Sequence, residues 1–216
     1  MAFKRIVAFG CSCTVGEWLP GWHAPTVKNN WRQTFSDLAW PFVLAKKMSI
    51  SQVDNLAWGG LGNHEILHRI LKADLTKDDL VVISWSYSGR EILFDTRGIT
   101  QTMWQPIALK FYAVHELVDL ELKSMEYVHH AKMYLENRGI QYAMAQIEPW
   151  YFETEHWTKY NRDDYVRFDF IDYAEDNSHP GIESHKLVAE KMYNSLQYCE
   201  LIETSKASGG ILKLRK

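Results

Sequence analysis

Apolar residues recur along the chain in two rhythms, and their alternation sets the expected architecture. Short β-rich runs at residues 4–9, 53–57, 80–85 and 140–146 are each bounded by Gly, Asp or Asn, as strands ended by turns are. Between them the spacing changes to that of helices. One opens at Trp40-Pro41, with proline in the first turn, and carries Phe42, Leu44, Ala45 and Met48. A second starts near Gly62-Asn63 and carries Ile66, Leu67, Ile70 and Leu71. The longest runs from near Pro106 to Asn137, with Gly139 as its stop, and a fourth covers 182–196 after His179-Pro180. Strands alternating with helices of this length call for a parallel sheet with right-handed crossovers and helices on both faces. The expected fold class is therefore α/β: a three-layer α/β/α sandwich with a mostly parallel, flavodoxin-like sheet.

Length and composition leave this picture standing and narrow the partners. At 216 residues and 25.2 kDa, one domain over residues 1–204 is expected, followed by a flexible Gly/Ser/Lys tail at 205–216. A net charge of −3 gives no basic stripe for nucleic acid, so none is expected as a partner. No window reaches the ~18 consecutive apolar residues of a membrane span. The run 6–10 after Lys4 and Arg5 is too short for a signal peptide, so a cytoplasmic, membrane-free protein is expected. Three cysteines, Cys11, Cys13 and Cys199, are too few for a disulfide framework or a cysteine zinc site. If the stretch after the first run continues as strand, Cys11 and Cys13 share one side and Ser12 faces the other.

Two stretches, 16–35 and 150–169, fit neither rhythm. Both are aromatic and polar, and loops of that length in a compact domain usually frame a site. Trp150, Tyr151, Trp157, Tyr160 and Tyr165 suit stacking on sugar rings or packing an acyl chain, or else a private core for a lid.

Reactive groups in open parallel sheets sit beyond the carboxyl ends of the strands, near the point where strand order reverses. The first run ends in Gly10-Cys11-Ser12-Cys13-Thr14-Val15-Gly16, which exposes a serine hydroxyl past a strand end, with glycines to permit a tight turn. Far away in sequence, Asp176-Asn177-Ser178-His179 puts a carboxylate three residues before a histidine. That is the orienter and base needed to activate a serine. The plainer reading of these segments is a β-to-α turn and a cap for the last helix, supplied by Asp176 or Ser178.

Together the motifs resemble the SGNH (GDSL-like) hydrolase family, in a divergent branch met in phage and bacterial genomes. Ser12 matches the nucleophile block, with Cys11 where the family has aspartate; Gly60 in Asn55-Leu56-Ala57-Trp58-Gly59-Gly60 matches the glycine block; Asp176 and His179 match the closing D-x-x-H. The third block departs: Ser84-Trp85-Ser86-Tyr87-Ser88-Gly89-Arg90-Glu91 holds no asparagine, and Ser88 lies nearest its position. The resemblance implies a serine esterase without metal or organic cofactor, acting on a small-molecule or glycan ester. Its triad would be Ser12, Asp176 and His179, and its oxyanion hole Ser12, Gly60 and Ser88. Trp85, Tyr87, Arg90, Trp150 and Tyr151 are the expected substrate-binding residues.

Two other readings stand beside it. One is an SGNH fold that binds without catalysing. The other rests on His64-Glu65-Ile66-Leu67-His68, an H-E-x-x-H pattern on the second helix that would give a zinc peptidase if a third ligand were supplied. No such ligand follows at metzincin spacing, because Leu71 and Asp74 stand where glycine and histidine would be, and surface histidines are the plainer account. His129-His130 is expected to lie on a helix surface as well.

Overall fold

The structure, a computed structural model, describes residues 3–24, 34–90, 93–94, 100–101, 117–147 and 165–207. In chain order the elements are β1 (Arg5–Phe9), α1 (Ser12–Val15), α2 (Trp40–Lys47), β2 (Val53–Asn55), α3 (Asn63–Lys72), β3 (Asp79–Trp85), β4 (Leu93–Phe94), β5 (Thr100–Gln101), α4 (Leu117–Asn137), β6 (Gln141–Gln146), β7 (Tyr165–Arg167) and α5 (Ile182–Ala207). Five strands form one sheet in the order β2-β1-β3-β6-β7 with every neighbouring pair parallel. β4 and β5 form a separate antiparallel pair. Helices α2 and α5 pack together, as do α3 and α4. Right-handed crossovers place the first pair on one face of the sheet and the second on the other. This is the three-layer architecture expected from the two rhythms.

Burial explains why the strands were legible. All of β3 is buried, as a central parallel strand covered on both faces must be, and so is β1 apart from Arg5. At the amino edge of the sheet Arg5 Nε donates to Asp79 Oδ1 at 2.8 Å and Nη1 reaches Asp54. Burial alone would raise the Asp79 carboxyl, but the bonds from Arg5 and Thr76 outweigh it and hold the group below its usual range.

Helix ends follow local chemistry. Pro41 sits in the first turn of α2, where the missing N–H costs nothing, and Lys46 and Lys47 sit in its last, at the negative end of the dipole. α4 stops at Gly139, whose φ of +63° is left-handed, so Ile140 N–H can reach back to Leu135 C=O. α5 is capped from outside its own sequence: Asp172 Oδ1 accepts Ser184 N–H at 2.7 Å and Oδ2 accepts Glu183 N–H at 2.9 Å. Gly181 makes room, since a Cβ there would lie 2.3 Å from Asp172 Oδ2. Neither Asp176 nor Ser178 is the cap. α5 also runs to Ala207, into the segment expected to be tail from residue 205.

Other expectations need correction. Residues 12–15 are a helical turn rather than strand, so the two-sided alternation of Cys11, Ser12 and Cys13 does not apply and all three side chains are buried. The short strand β7 lies inside the stretch that fitted neither rhythm. The expected onset of α4 near Pro106 falls outside the described residues, and the longest described helix is α5, at 26 residues.

Two buried amides tie the sheet's carboxyl edge together. Asn55, at the end of β2, donates to Thr14 C=O at 2.9 Å and accepts from Ala57 N–H at 3.1 Å, joining the turn after β1 to the loop after β2. Asn63, first residue of α3, accepts Ser86 N–H at 2.7 Å and donates to Ser86 C=O and Ser124 Oγ, each at 3.1 Å. It thereby fixes the loop leaving β3. Asn63→Ala leaves both Ser86 backbone groups buried and unpaired, and should lower the unfolding free energy by about 2–4 kcal/mol, measurable by urea denaturation.

Beneath this edge His185 is wholly buried in α5, its Nδ1 accepting Trp40 N–H at 3.0 Å. Burial drives its pKa down to about 3, against the pull of Asp172 and with a small push from His179. The unfolded chain binds a proton near pH 6.5 that the folded chain refuses, so this residue's support is complete above pH 6.5 and declines as pH falls toward 3. Wild-type unfolding free energy should fall by up to about 2 kcal/mol more than that of His185→Gln between pH 7.5 and 5, by denaturation at the two pH values.

Candidate active site

The order β2-β1-β3 puts the reversal of strand order between β1 and β3, and the loops leaving those strands are the ones the two asparagines brace. α1 begins at Ser12 immediately after β1 and ends at Gly16, which is left-handed at φ +76° and donates to Ser12 C=O. Ser12 is 4% exposed. Among the described residues the backbone N–H groups of Ser12 and Gly60 donate to no other group. Gly60 lies in the β2 loop with φ +79°. Gly62 approaches the β3 loop so closely that a Cβ would lie 1.9 Å from Arg90 C=O.

The loop before α5 supplies the acid–base pair. Asp176 Oδ2 lies 2.6 Å from His179 Nδ1, while Oδ1 accepts the backbone N–H groups of His179 at 3.0 Å and Ser178 at 3.2 Å. Burial pushes the Asp176 carboxyl up, but the bonds to His179 and Ser178 prevail and hold it below its ordinary value, so it stays ionised. An ionised acceptor at Nδ1 makes that nitrogen the donor and leaves Nε2 the basic one. Asn177 takes the left-handed conformation at φ +54° that this tight loop requires.

No hydrogen bond joins Ser12 to His179 here. His179 Nε2 instead faces Glu17, whose Oε2 is 3.8 Å away. Glu17 is carried by the end of α1, its N–H donating to Ser12 C=O at 3.2 Å, so the β1 turn and the His179 loop meet. Burial raises the Glu17 carboxyl above its usual value, with His179 and Arg90 pulling the other way. This acid was not among the expected site residues; the signal available was its position directly after the S-x-T-x-G turn, at the start of a stretch without rhythm.

The remaining expectations divide. Arg90 lies within electrostatic reach of Glu17, with Nη1 3.2 Å from Ser86 Oγ and its guanidinium 5.3 Å from the centre of the half-buried Tyr87 ring. Ser88 is buried in the β3 loop. Trp85 is a correction: it is 0% exposed, with its indole N–H 3.4 Å from Met144 Sδ, and packs the core rather than meeting a ligand. Trp150 and Tyr151 lie outside the described residues. The described aromatic platform is elsewhere: Trp18, Trp22 and Tyr173 line a groove of about 570 Å³ beside the His179 loop, the two indoles 5.3 Å apart.

The two buried thiols are shifted in opposite directions: the neighbouring Cys11 thiol and burial push the Cys13 thiol up, while the bond with Cys13 and the charge of Arg90 outweigh burial and pull the Cys11 thiol down. His64 and His68 are stacked on the exposed face of α3, 6.5 Å apart, with His64 edge-on to Tyr127. Among the described residues no group of three metal-ligating side chains occurs, and no helix is long and apolar enough to cross a membrane.

No protein-family model and no curated protein sequence matches the chain. Solved structures do. A carbohydrate esterase, described as having an active site with divergent catalytic and non-catalytic binding functions, is 16% identical with a TM-score of 0.55, over 90% of this chain and 65% of its own. TesA is 14% identical with a TM-score of 0.54, over 90% and 98%. The lipase Lip_vut3 from a goat rumen metagenome is 12% identical with a TM-score of 0.53, over 88% and 96%. The chain shares its α/β fold with these three proteins.

Proposed function

We propose that the protein is an ester hydrolase of SGNH type that works through a Ser12 acyl-enzyme. The observation that carries this reading is the Asp176–His179 pair, held at 2.6 Å on the loop before α5 and facing the turn that bears Ser12. Capping of α5 by Asp172 supports it, because Asp176 has no duty at the helix end and is left to orient the imidazole.

In this mechanism His179 Nε2 takes the Ser12 hydroxyl proton as Oγ attacks the ester carbonyl. The tetrahedral intermediate collapses with cleavage of the bond to the alcohol oxygen, which receives the proton from His179. Water then repeats the sequence on the acyl-serine, releasing the acid. Asp176 holds the Nδ1–H tautomer throughout. The backbone N–H groups of Ser12 and Gly60 are the proposed oxyanion donors, with Ser88 as the side-chain donor in place of an asparagine.

The reading is tested by labelling with a fluorophosphonate probe and by turnover of short aryl esters. Ser12→Ala should abolish both while leaving the unfolding midpoint nearly unchanged. Asp176→Asn should lower kcat by a factor on the order of 10²–10⁴, since the wrong tautomer is then favoured. Ser88→Ala should lower kcat about tenfold or more with little change in KM, the mark of a contact made in the transition state. Full labelling and turnover in Ser12→Ala would overturn the mechanism; a wild-type protein inert to probe and ester would leave the fold as a binding module.

A further inference from the structure

Glu17 has no part in the serine mechanism, yet its carboxylate lies in the middle of the proposed machinery. Its side chain is 17% exposed, and Oε2 faces His179 Nε2 at 3.8 Å. Oε1 rests against the glycine loop after β2, where a Cβ on Gly59 would lie 2.0 Å from it. A side chain at that position would push the carboxylate out of this place. The residue's backbone belongs to the same short turn as Ser12, its N–H donating to Ser12 C=O at 3.2 Å.

The charges around Ser12 show what such a group changes. Glu17 is faced by His179 and Asp176 from the loop before α5, by Arg90 from the β3 loop, and by Cys11. Among the described groups that face Glu17, Arg90 is the fixed cation and Asp176 offsets it, so Glu17 leaves this set with negative charge in excess, and the Cys11 thiol, pulled down by Cys13 and Arg90, does not relieve it. Arg90 is directed at Ser86 Oγ and the Tyr87 ring rather than paired with Glu17 in an ion pair. Ester hydrolysis develops negative charge on the carbonyl oxygen, so a surplus carboxylate hinders the chemistry for a neutral substrate. The same carboxylate favours the imidazolium formed on His179, whatever the substrate, and its effect on substrate choice has a fixed sign: it attracts a cationic group on the ester and repels an anionic one.

We propose that Glu17 sets the charge specificity of this site, favouring esters whose alcohol portion carries a cationic group and excluding those whose alcohol portion is anionic. The inference rests on the serine-hydrolase reading above. At the separations within a single cleft and an effective dielectric between protein and water, one unit charge changes the preference by about tenfold or more.

The test compares three acetate esters of like shape at pH 8: (4-acetoxyphenyl)trimethylammonium, phenyl acetate and 4-acetoxybenzoate. Each is measured with wild type, Glu17→Gln and Glu17→Asp. Leaving-group reactivity differs among the esters but cancels in the variant-to-wild-type ratio of kcat/KM. That ratio for Glu17→Gln should be about tenfold or more higher on the anionic ester than on the cationic one, mostly through KM, while Glu17→Asp keeps the wild-type preference. A Glu17→Gln ratio equal on all three esters overturns the inference, as does equal loss of preference in Glu17→Asp, which would assign the effect to shape. Fluorophosphonate labelling of wild type run alongside separates the two levels. Labelled Ser12 with unmoved ratios defeats the role of Glu17 alone; an unlabelled protein that turns over none of the esters defeats the hydrolase reading and this inference with it.

Discussion

The parallel pairing of β1 with both β2 and β3 is the constraint on which the rest of the molecule depends. β1 is hydrogen-bonded on one side to β2 at Ile6–Val53 and on the other to β3 at Ile6–Leu80, so the chain must leave the sheet in opposite directions on either side of it. That divergence opens the crevice at the carboxyl edge. Crossovers of fixed hand then decide that α2 and α5 cover one face while α3 and α4 cover the other. The buried side chains of β1 and β3 make this arrangement rigid, because both faces are close-packed and a one-residue slip would break the packing on each.

A crevice of this kind is a gap between loops, and loops need bracing before they can hold atoms in place. Here the bracing is polar and buried. Asn55 and Asn63 each make bonds in both directions, so neither leaves a desolvated group unpaired, and between them they link the loops after β1, β2 and β3. Apolar packing would hold the same loops together without fixing their backbone carbonyl and amide directions. Two-way amide bonds fix those directions, which is what an oxyanion site made of backbone N–H groups requires.

The fold was legible in the sequence wherever burial imposed a period. Residues 80–85 read as strand because a central parallel strand is apolar on both faces, and Trp40-Pro41 and Gly139 marked helix ends because proline and glycine restrict the backbone directly. Legibility failed where contacts between distant segments decide. β7 is three residues long and exists through its partner β6. The cap of α5 comes from Asp172, ten residues before the helix begins, so local spacing pointed to the wrong acid. Trp85 was assigned to the substrate because aromatic residues near a motif suggest a platform, but it is the last residue of a strand covered on both faces, so its side chain is core. Ser12, Asp176 and His179 could be named as candidates from their blocks, whereas Glu17 is defined by what it faces across the crevice, and no local pattern carries that.

The arrangement around His179 shows how two carboxylates of one chemical type are separated by their surroundings. Asp176 is met by two backbone N–H groups and the imidazole Nδ1, and those bonds outweigh the cost of burial and keep it charged. Glu17 has no comparable set of donors: burial dominates, and its carboxyl is pushed up. The first is therefore a fixed charge that defines the tautomer of the histidine, and its contribution is constant through a reaction cycle. The second is a charge whose stability depends on what else occupies the crevice, since a cation placed there supplies the compensation that the protein does not. A group left under-compensated by its own fold is the one whose energy responds most strongly to a ligand, which is the physical condition for discrimination rather than for catalysis.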